Sequence, residues 1–191
     1  MPELTLDNQE LEVVEEMRLL GVTLQSDMKW TSNTEQMILK AYKRLWSLRR
    51  LKGMGATLED LKDVYLKQVR SVLELAVPAW NGALTQTDVK DIERVKKTAL
   101  HIMLGGSYND YRSALAIVGL DSLQARREHL SLRFAKKSLK HPKHTHWFVP
   151  NTVTANTRQE KSEFCPVYAN HKRFIKSPLS YLTNLLNNNS K

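Results

Sequence analysis

Apolar residues recur at helical spacing along most of the chain, starting just after Thr31. In the first such stretch they fall at every third or fourth position, which predicts an amphipathic helix with one buried stripe. The stripe consists of Met37, Ala41, Leu45 and Leu48. Thr31 or Ser32 is suited to cap the amino end of this helix, and Gly53 and Gly55 are suited to end it.

A second helix is predicted to begin after Thr57. Thr57 followed three residues later by Asp60 resembles a capping box, in which hydroxyl and carboxylate satisfy free backbone N–H groups. Its expected inward positions are Leu58, Leu61, Tyr65, Val69, Val72 and Ala76. Pro78 is expected to stop this helix, because proline lacks a backbone N–H and clashes with the preceding turn.

A third helix follows a turn that the Asn81-Gly82 pair predicts. Either Thr85 or Thr87 is placed to cap it, and Gly105-Gly106 is placed to end it. Its expected core face consists of Val89, Ile92, Val95, Ala99 and Ile102.

Two more helices complete the periodic part of the chain. A short one is predicted near residues 110–118 and ends at Gly119. A long one is predicted from Asp121 or Ser122, either of which is a suitable cap, to about Lys140.

The flanks differ from this helical middle. Residues 17–24 read as one short strand, and periodicity fades after Pro142. The sequence therefore predicts a mainly α fold: a bundle of four to five helices, preceded by a short β remnant and followed by an irregular C-terminal arm. The corresponding segments are 1–27, 28–140 and 141–191.

Charge is distributed unevenly over these segments. The 191 residues contain 29 Lys and Arg against 20 Asp and Glu, a formal net charge of +9. Residues 1–27 hold seven of the acids and one base, so residues 28–191 carry a net charge of +15. Such a body attracts polyanions.

The bases of three predicted helices each fall on one face, away from the apolar stripe. On the first helix these are Lys40, Lys43, Arg44 and Arg50; on the third, Lys90, Arg94 and Lys97; on the last, Arg126, Arg133, Lys137 and Lys140. Basic ridges of this kind favour a surface that follows nucleic-acid phosphates. The alternative is that they only solvate the outer faces of amphipathic helices.

Three aromatic residues lie near the first basic ridge. Trp30, Tyr42 and Trp46 are able to stack on bases if they are exposed, or to pack in the core. Packing is the favoured interpretation, because Tyr42 borders the apolar stripe.

Catalytic and metal-binding patterns are weak. His141, His144 and His146, with Cys165 and His171 as further donors, form a loose cluster in a proline-interrupted stretch, so we expect no metal site and no cofactor. The single cysteine excludes an internal disulfide. Most acids outside the amino-terminal segment stand at helix starts, where capping explains them.

The expected location is intracellular, in the nucleus or cytoplasm. The first residues lack the basic start and apolar centre of a secretory signal. No apolar run approaches the roughly 18 residues that suggest a membrane-spanning helix.

An ordered set of short motifs runs through the chain. They are Leu20-Gly21-Val22-Thr23-Leu24 with Asp27-Met28-Lys29-Trp30, Ala41-Tyr42-Lys43-Arg44-Leu45, Ser71 to Trp80, Asp91 to Leu100, Tyr108-x-x-Tyr111 with Ala114-Leu115, and Leu120-x-Ser122-Leu123-x-x-Arg126-Arg127. In this order they resemble the region beyond the catalytic motif of non-LTR retrotransposon reverse transcriptases of the jockey type. The resemblance covers about residues 19–140.

That resemblance implies the end of a polymerase palm followed by its helical thumb, which clamps the template–primer duplex through its backbone. It also implies no catalysis by this chain, because the paired aspartates of the palm are missing and no Asp-Asp dipeptide occurs. Part of the segment also resembles the amino-terminal region of an AlkB-type DNA-repair dioxygenase homologue. However, no histidine here begins the His-x-Asp pattern of its iron ligands.

We therefore expect a non-catalytic, thumb-like fragment that binds the backbone of RNA–DNA or DNA duplexes without sequence preference and does not bind membranes. Two alternatives stay open. One is a protein–protein interaction module that uses exposed apolar helix faces, and the other is a degenerate reading frame without a function.

Overall fold

A computed structural model describes residues 5–7, 9–152, 162–167 and 172–189. The chain is mainly helical with short antiparallel strands at the amino end, which confirms the predicted fold class. The strands are β1 (Thr5–Leu6), β2 (Gln9–Glu10), β3 (Glu16–Leu19) and β4 (Val22–Gln25). The helices are α1 (Thr31–Gly53), α2 (Leu58–Val64), α3 (Ser71–Leu73), α4 (Val77–Trp80), α5 (Gln86–Leu104), α6 (Tyr111–Val118), α7 (Leu123–Leu139), α8 (Lys172–Ile175) and α9 (Pro178–Asn188).

The single strand predicted over residues 17–24 is wrong, because this stretch is a hairpin. Strands β3 and β4 pair antiparallel, with Glu16 opposite Gln25 and Arg18 opposite Thr23. Between them Leu20 and Gly21 have φ of +50° and +86°. Two successive residues with positive φ reverse the chain in the manner of a tight hairpin turn.

Helix α1 begins where it was predicted to begin, but neither predicted cap holds it. Trp30 occupies the cap position and no side chain accepts a hydrogen bond there. The hydroxyl of Ser32 instead donates to Glu16 Oε2 at 3.1 Å, toward the hairpin. The helix ends at Gly53, and Gly55 follows with φ of +82°.

The capping box at the start of α2 is confirmed: Thr57 Oγ1 accepts from Asp60 N and Asp60 Oδ2 accepts from Thr57 N, both at 3.2 Å. The helix continues through a π-helical segment, Tyr65–Arg70, into α3. Pro78 does not stop it. The chain leaves the helix after Leu73, and Pro78 instead lies in the first turn of α4.

Ala76 lies between the end of α3 and the start of α4, and its φ is +52°. Ala76 is exposed, so its predicted inward position is also wrong. A left-handed alanine is sterically unfavourable in isolation, and this one lies between the buried residues Leu73 and Val77.

The later helix boundaries follow the sequence closely. Thr85 forms the capping box of α5 with Asp88, and Gly105 follows its last residue. Helix α6 is capped by Asp110 and ends at Gly119, whose φ is +65°. Ser122 caps α7, so it is the correct member of the Asp121 and Ser122 pair.

Helices α1 and α5 pack directly against each other at the centre of the main core. The largest fully buried apolar side chains around this contact are Leu45, Leu48, Leu61, Tyr65, Leu73, Trp80, Ile92, Leu100, Met103 and Leu123. Burial of such side chains contributes about 2–3 kcal/mol each to folding before the loss of chain entropy is counted.

The C-terminal arm is irregular only in part. Ser177 caps α9 with Pro178 in its first turn, and α9 packs on α7. A second small core of Ala135, Phe148, Phe164, Leu182 and Leu186 lies at this contact. None of the helices among the described residues has the length and apolar character that a membrane crossing requires.

Candidate nucleic-acid interface

The β3–β4 hairpin is attached to the first two turns of α1. The backbone N–H of Thr23 donates to Asn33 Oδ1 at 3.1 Å, and its hydroxyl donates to Gln36 Oε1 at 2.8 Å. Val22 and Thr23 are buried against the helix, whereas all of β3 is exposed. Strand β4 is therefore the part that fixes the hairpin, and β3 forms its outer rim.

The turn of the hairpin lies close to Leu75. Gly21 lies so close to the segment after α3 that a Cβ at this position would stand 3.2 Å from Leu75 Cδ2. The absence of a side chain and the positive φ together make glycine the suitable residue at this point.

These contacts enclose a cleft of about 340 Å³ between the hairpin, α1 and the α3 segment. Three cationic side chains line it: Arg18 from β3, and Lys40 and Arg44 from α1. None of the described residues that line it is acidic. The remaining lining is apolar or neutral and polar, so the cleft has a local formal charge of +3.

Arg44 has a defined orientation in this cleft. Its side chain is half-buried and one guanidinium nitrogen donates to the Gln68 carbonyl at 2.5 Å. Lys40 is exposed one turn earlier on the same helix. Arg18 comes from the opposite wall, where β-pairing sets it beside Thr23.

The other two predicted bases of α1 lie outside the cleft. Lys43 and Arg50 are both exposed. The Arg50 guanidinium carbon stands 5.2 Å from the centroid of the Trp46 ring. The first ridge therefore splits into a cleft side and an outer side.

The ridge on α5 is exposed but partly engaged. Arg94 pairs with Asp91 at 2.9 Å, and the Lys97 ammonium lies 5.2 Å from the Tyr111 ring centroid. Lys90 is exposed at the start of the helix. The ion pair with Asp91 stabilises the fold only slightly, but it reduces the charge that Arg94 offers to a phosphate.

The four predicted bases of the α7 ridge differ in exposure and pairing. Arg126 is half-buried and pairs with Glu74 at 3.2 Å, and Glu74 also pairs with Arg70 at 3.2 Å. Arg126 lines a smaller cleft of about 130 Å³. The rest of the predicted ridge, Arg133, Lys137 and Lys140, is exposed.

The packing interpretation holds for two of the three aromatics. Trp30 and Tyr42 are partly buried and pack against the main core. Trp46 is 60% exposed, so packing was the wrong interpretation for this residue. Its helix position lies outside the apolar stripe, a signal that the sequence already contained.

The histidine cluster forms a ring stack. The rings of His141 and His144 stack at 4.4 Å, and His144 stacks on Trp147 at 4.2 Å. Among the described residues, no three His, Cys, Asp or Glu side chains converge as metal ligands would. Of the two further candidate donors, Cys165 and His171, His171 lies outside the described residues.

A buried polar cluster between α5, α6 and α7 was not predicted. Glu93 Oε1 accepts from the Leu123 N–H at 3.0 Å and from the Tyr111 hydroxyl. The Lys96 ammonium donates to the Asp121 carbonyl, and Lys96 is 2% exposed. These bonds connect α5 to α6 and to the start of α7, so we interpret them as structural.

Burial sets the protonation of this cluster. Desolvation lowers the pKa of Lys96 to about 8, while neighbouring Glu93 acts in the opposite direction. Desolvation, together with Glu93, raises the pKa of Tyr111. Desolvation also raises the pKa of Tyr65, whose hydroxyl is buried without a hydrogen-bond partner among the described residues.

Arg18 is the cleft residue that sequence reasoning missed. It is the single base of an acidic segment, and a one-strand reading of residues 17–24 gave it no neighbour on α1. The two-residue turn at Leu20 and Gly21 was the usable signal, because a hairpin there pairs Arg18 with Thr23.

No protein-family model, curated protein or solved structure matches this chain. The resemblance to reverse-transcriptase thumbs therefore stays a prediction from sequence motifs.

Proposed function

We propose that this chain binds the sugar-phosphate backbone of nucleic acids through the cleft between the β3–β4 hairpin and α1. The observation that supports this most strongly is the convergence of Arg18, Lys40 and Arg44 on one cleft whose described lining contains no acid. Guanidinium groups suit two-pronged contacts to phosphate oxygens, and the lysine adds a point charge.

The polar lining favours binding without sequence preference. The amides of Asn33 and Gln36 would be the natural readers of base edges, but both oxygens accept hydrogen bonds from Thr23. The Gln36 amide nitrogen donates to Ser32 Oγ at 3.2 Å. With both amide oxygens and the Gln36 nitrogen engaged inside the protein, the cleft offers mainly charge to a ligand, and charge contacts the backbone without distinguishing the base sequence.

We propose a non-catalytic role for this chain, in the nucleus or cytoplasm, as a thumb-like element derived from a retroelement polymerase. Metal-dependent phosphoryl transfer needs carboxylates that converge on cations. Asp60, Asp88 and Asp110 instead accept hydrogen bonds at helix starts. The sequence motifs supply the suggested origin, and the basic cleft supplies the suggested activity.

A protein-binding role is the second candidate, and the hairpin region favours it. Leu20 is 91% exposed, Val13 is 75% exposed, and Met17 and Leu19 are each about half exposed. Neighbouring apolar side chains of this kind often mark an interaction surface. This reading predicts concentration-dependent association in sedimentation velocity, and a monomer at all concentrations contradicts it.

The test of the main proposal is fluorescence anisotropy with a labelled RNA–DNA hybrid. Backbone binding predicts that affinity falls steeply between about 50 and 200 mM salt and is equal for unrelated sequences. Absence of binding at the lower salt concentration, or an affinity independent of salt, would contradict the proposal.

A further inference from the structure

Three exposed side chains form a stripe on the outer side of α1: Lys43, Trp46 and Arg50. They are spaced three and four residues apart, so they lie above one another on the helix surface. We refer to these three residues as the α1 stripe. It adjoins the cleft, because Lys43 stands next to Arg44 in the chain and close to Lys40 on the helix.

Trp46 is unusual within this stripe. Its side chain is 60% exposed, whereas the other tryptophans with described side chains are buried or partly buried. The Arg50 guanidinium carbon lies 5.2 Å from the centroid of its ring. A large aromatic surface is thus held in water beside two cations.

We propose that Trp46 is a stacking platform for an unpaired base, with Lys43 and Arg50 holding the phosphates on either side of that base. This inference rests on the proposed function. It adds the class of nucleic acid that the outer side of α1 prefers, which is a single-stranded segment or an unpaired end.

The chemistry of the stripe selects this ligand over other partners. Among the described residues neither Lys43 nor Arg50 forms an ion pair, so both charges are available. A nucleotide supplies a flat π face and a negative charge at the same time, which matches an aromatic ring between cations.

The base must be unpaired, because bases within a duplex already cover each other's faces. Stacking is also tolerant of sequence, since every base has a π face. With a rise of 1.5 Å per residue, Trp46 lies about 9 Å along the helix axis from Lys40. A strand whose backbone occupies the cleft therefore has only a short distance to the stripe.

The test compares oligo(dT) with a long duplex, using the full chain and two variants. Trp46→Ala is expected to weaken oligo(dT) binding by about 5- to 100-fold, the loss typical of one stacked base. It should also abolish most of the quenching of tryptophan fluorescence by oligo(dT). Trp46→Phe, which keeps an aromatic face, should restore most of the affinity.

Leu39→Ala is the matched control, because Leu39 is also apolar, also 60% exposed and on the same side of α1. It should bind oligo(dT) like the unmodified chain, and an equal loss in both alanine variants would overturn the stacking proposal in favour of general apolar adhesion.

Duplex affinity should be unchanged by Trp46→Ala. Intact duplex binding with no effect of Trp46→Ala on oligo(dT) overturns only the stacking inference. If the unmodified chain does not bind the duplex, the proposed function itself is overturned.

Discussion

Arg127 of α7 is 1% exposed, and its Nε donates a hydrogen bond to Asn81 Oδ1 at 3.0 Å. The same amide donates from Nδ2 to the Tyr181 hydroxyl of α9 at 2.7 Å. One side chain in the turn before α5 thus connects the main helical body to the last helix. Burial lowers the pKa of Arg127, and the hydrogen bond to Asn81 offsets part of the cost of keeping this charged group in the interior.

Asn81→Ala should lower the free energy of unfolding by about 3 kcal/mol, because it leaves the buried guanidinium without this acceptor. Urea denaturation followed by circular dichroism measures the change. Asn109→Ala, at an exposed position, serves as the control and should change stability by less than about 0.5 kcal/mol. Equal stability of both variants would show that Asn81 does not hold Arg127.

Gly82 is the next residue along, and it lies against α9. A Cβ there would stand 2.5 Å from Tyr181 Cβ, so Gly82→Ala should push α9 away from the body. We expect a loss of about 1–3 kcal/mol and faster protease cleavage within residues 178–188. Gly106→Ala, which has open space around the added atom, should show neither effect. If proteolysis of the Gly82 variant were unchanged, the described packing of α9 against Gly82 would be contradicted.

The lowered pKa of Lys96 predicts a specific dependence of folding stability on pH. Its pKa is about 8 in the folded chain against an ordinary value of 10.5, so between these values the unfolded state binds more protons. The contribution of Lys96 to stability therefore rises as pH increases from 8 toward 10, by about 2 kcal/mol. Above about pH 10 the raised pKa values of Tyr65 and Tyr111 act in the opposite direction.

Lys96→Met isolates this effect, because the other titrating groups remain. The stability of the unmodified chain relative to this variant should increase between pH 8 and 10 in thermal denaturation. A difference that is constant with pH would show that Lys96 is charged in the interior throughout this range.

Two threonines near the start of α5 were both suitable caps, and the structure selects Thr85. Thr85→Ala should cost about 1 kcal/mol, because it removes the hydroxyl that accepts from Asp88 N. Thr87→Ala, at an exposed position inside the helix, should have little effect. If Thr87→Ala lost more stability than Thr85→Ala in chemical denaturation, the assignment of Thr85 as the cap would be contradicted.

Features set by neighbouring residues were predictable from sequence. The boxes at Thr57 and Thr85 and the stop at Gly119 depend on local hydrogen bonds and backbone freedom, so short patterns reveal them. The start of α9 carries such a signal as well, since Ser177-Pro178 is a typical helix start within the segment predicted to be irregular.

Features set by distant residues were not predictable in this way. Ala76 adopts a left-handed conformation that its own chemistry disfavours, so no local pattern predicts it. No local pattern marks Lys96 or Arg127 as buried, yet each is buried and donates a hydrogen bond to a carbonyl or amide oxygen of another segment. The cleft likewise required the hairpin, which brings Arg18 to Lys40 and Arg44.

The most direct measurement is the salt dependence of duplex binding for two triple variants, each of which removes three positive charges. Arg18→Gln/Lys40→Gln/Arg44→Gln neutralises the cleft, and Arg133→Gln/Lys137→Gln/Lys140→Gln neutralises exposed bases of α7. The cleft variant should weaken binding and reduce the slope of log affinity against log salt by about 2–3, as the loss of three phosphate contacts predicts. The α7 variant should change the slope by less than about 1. Equal losses in both variants would show that net charge, and not the cleft, binds the nucleic acid.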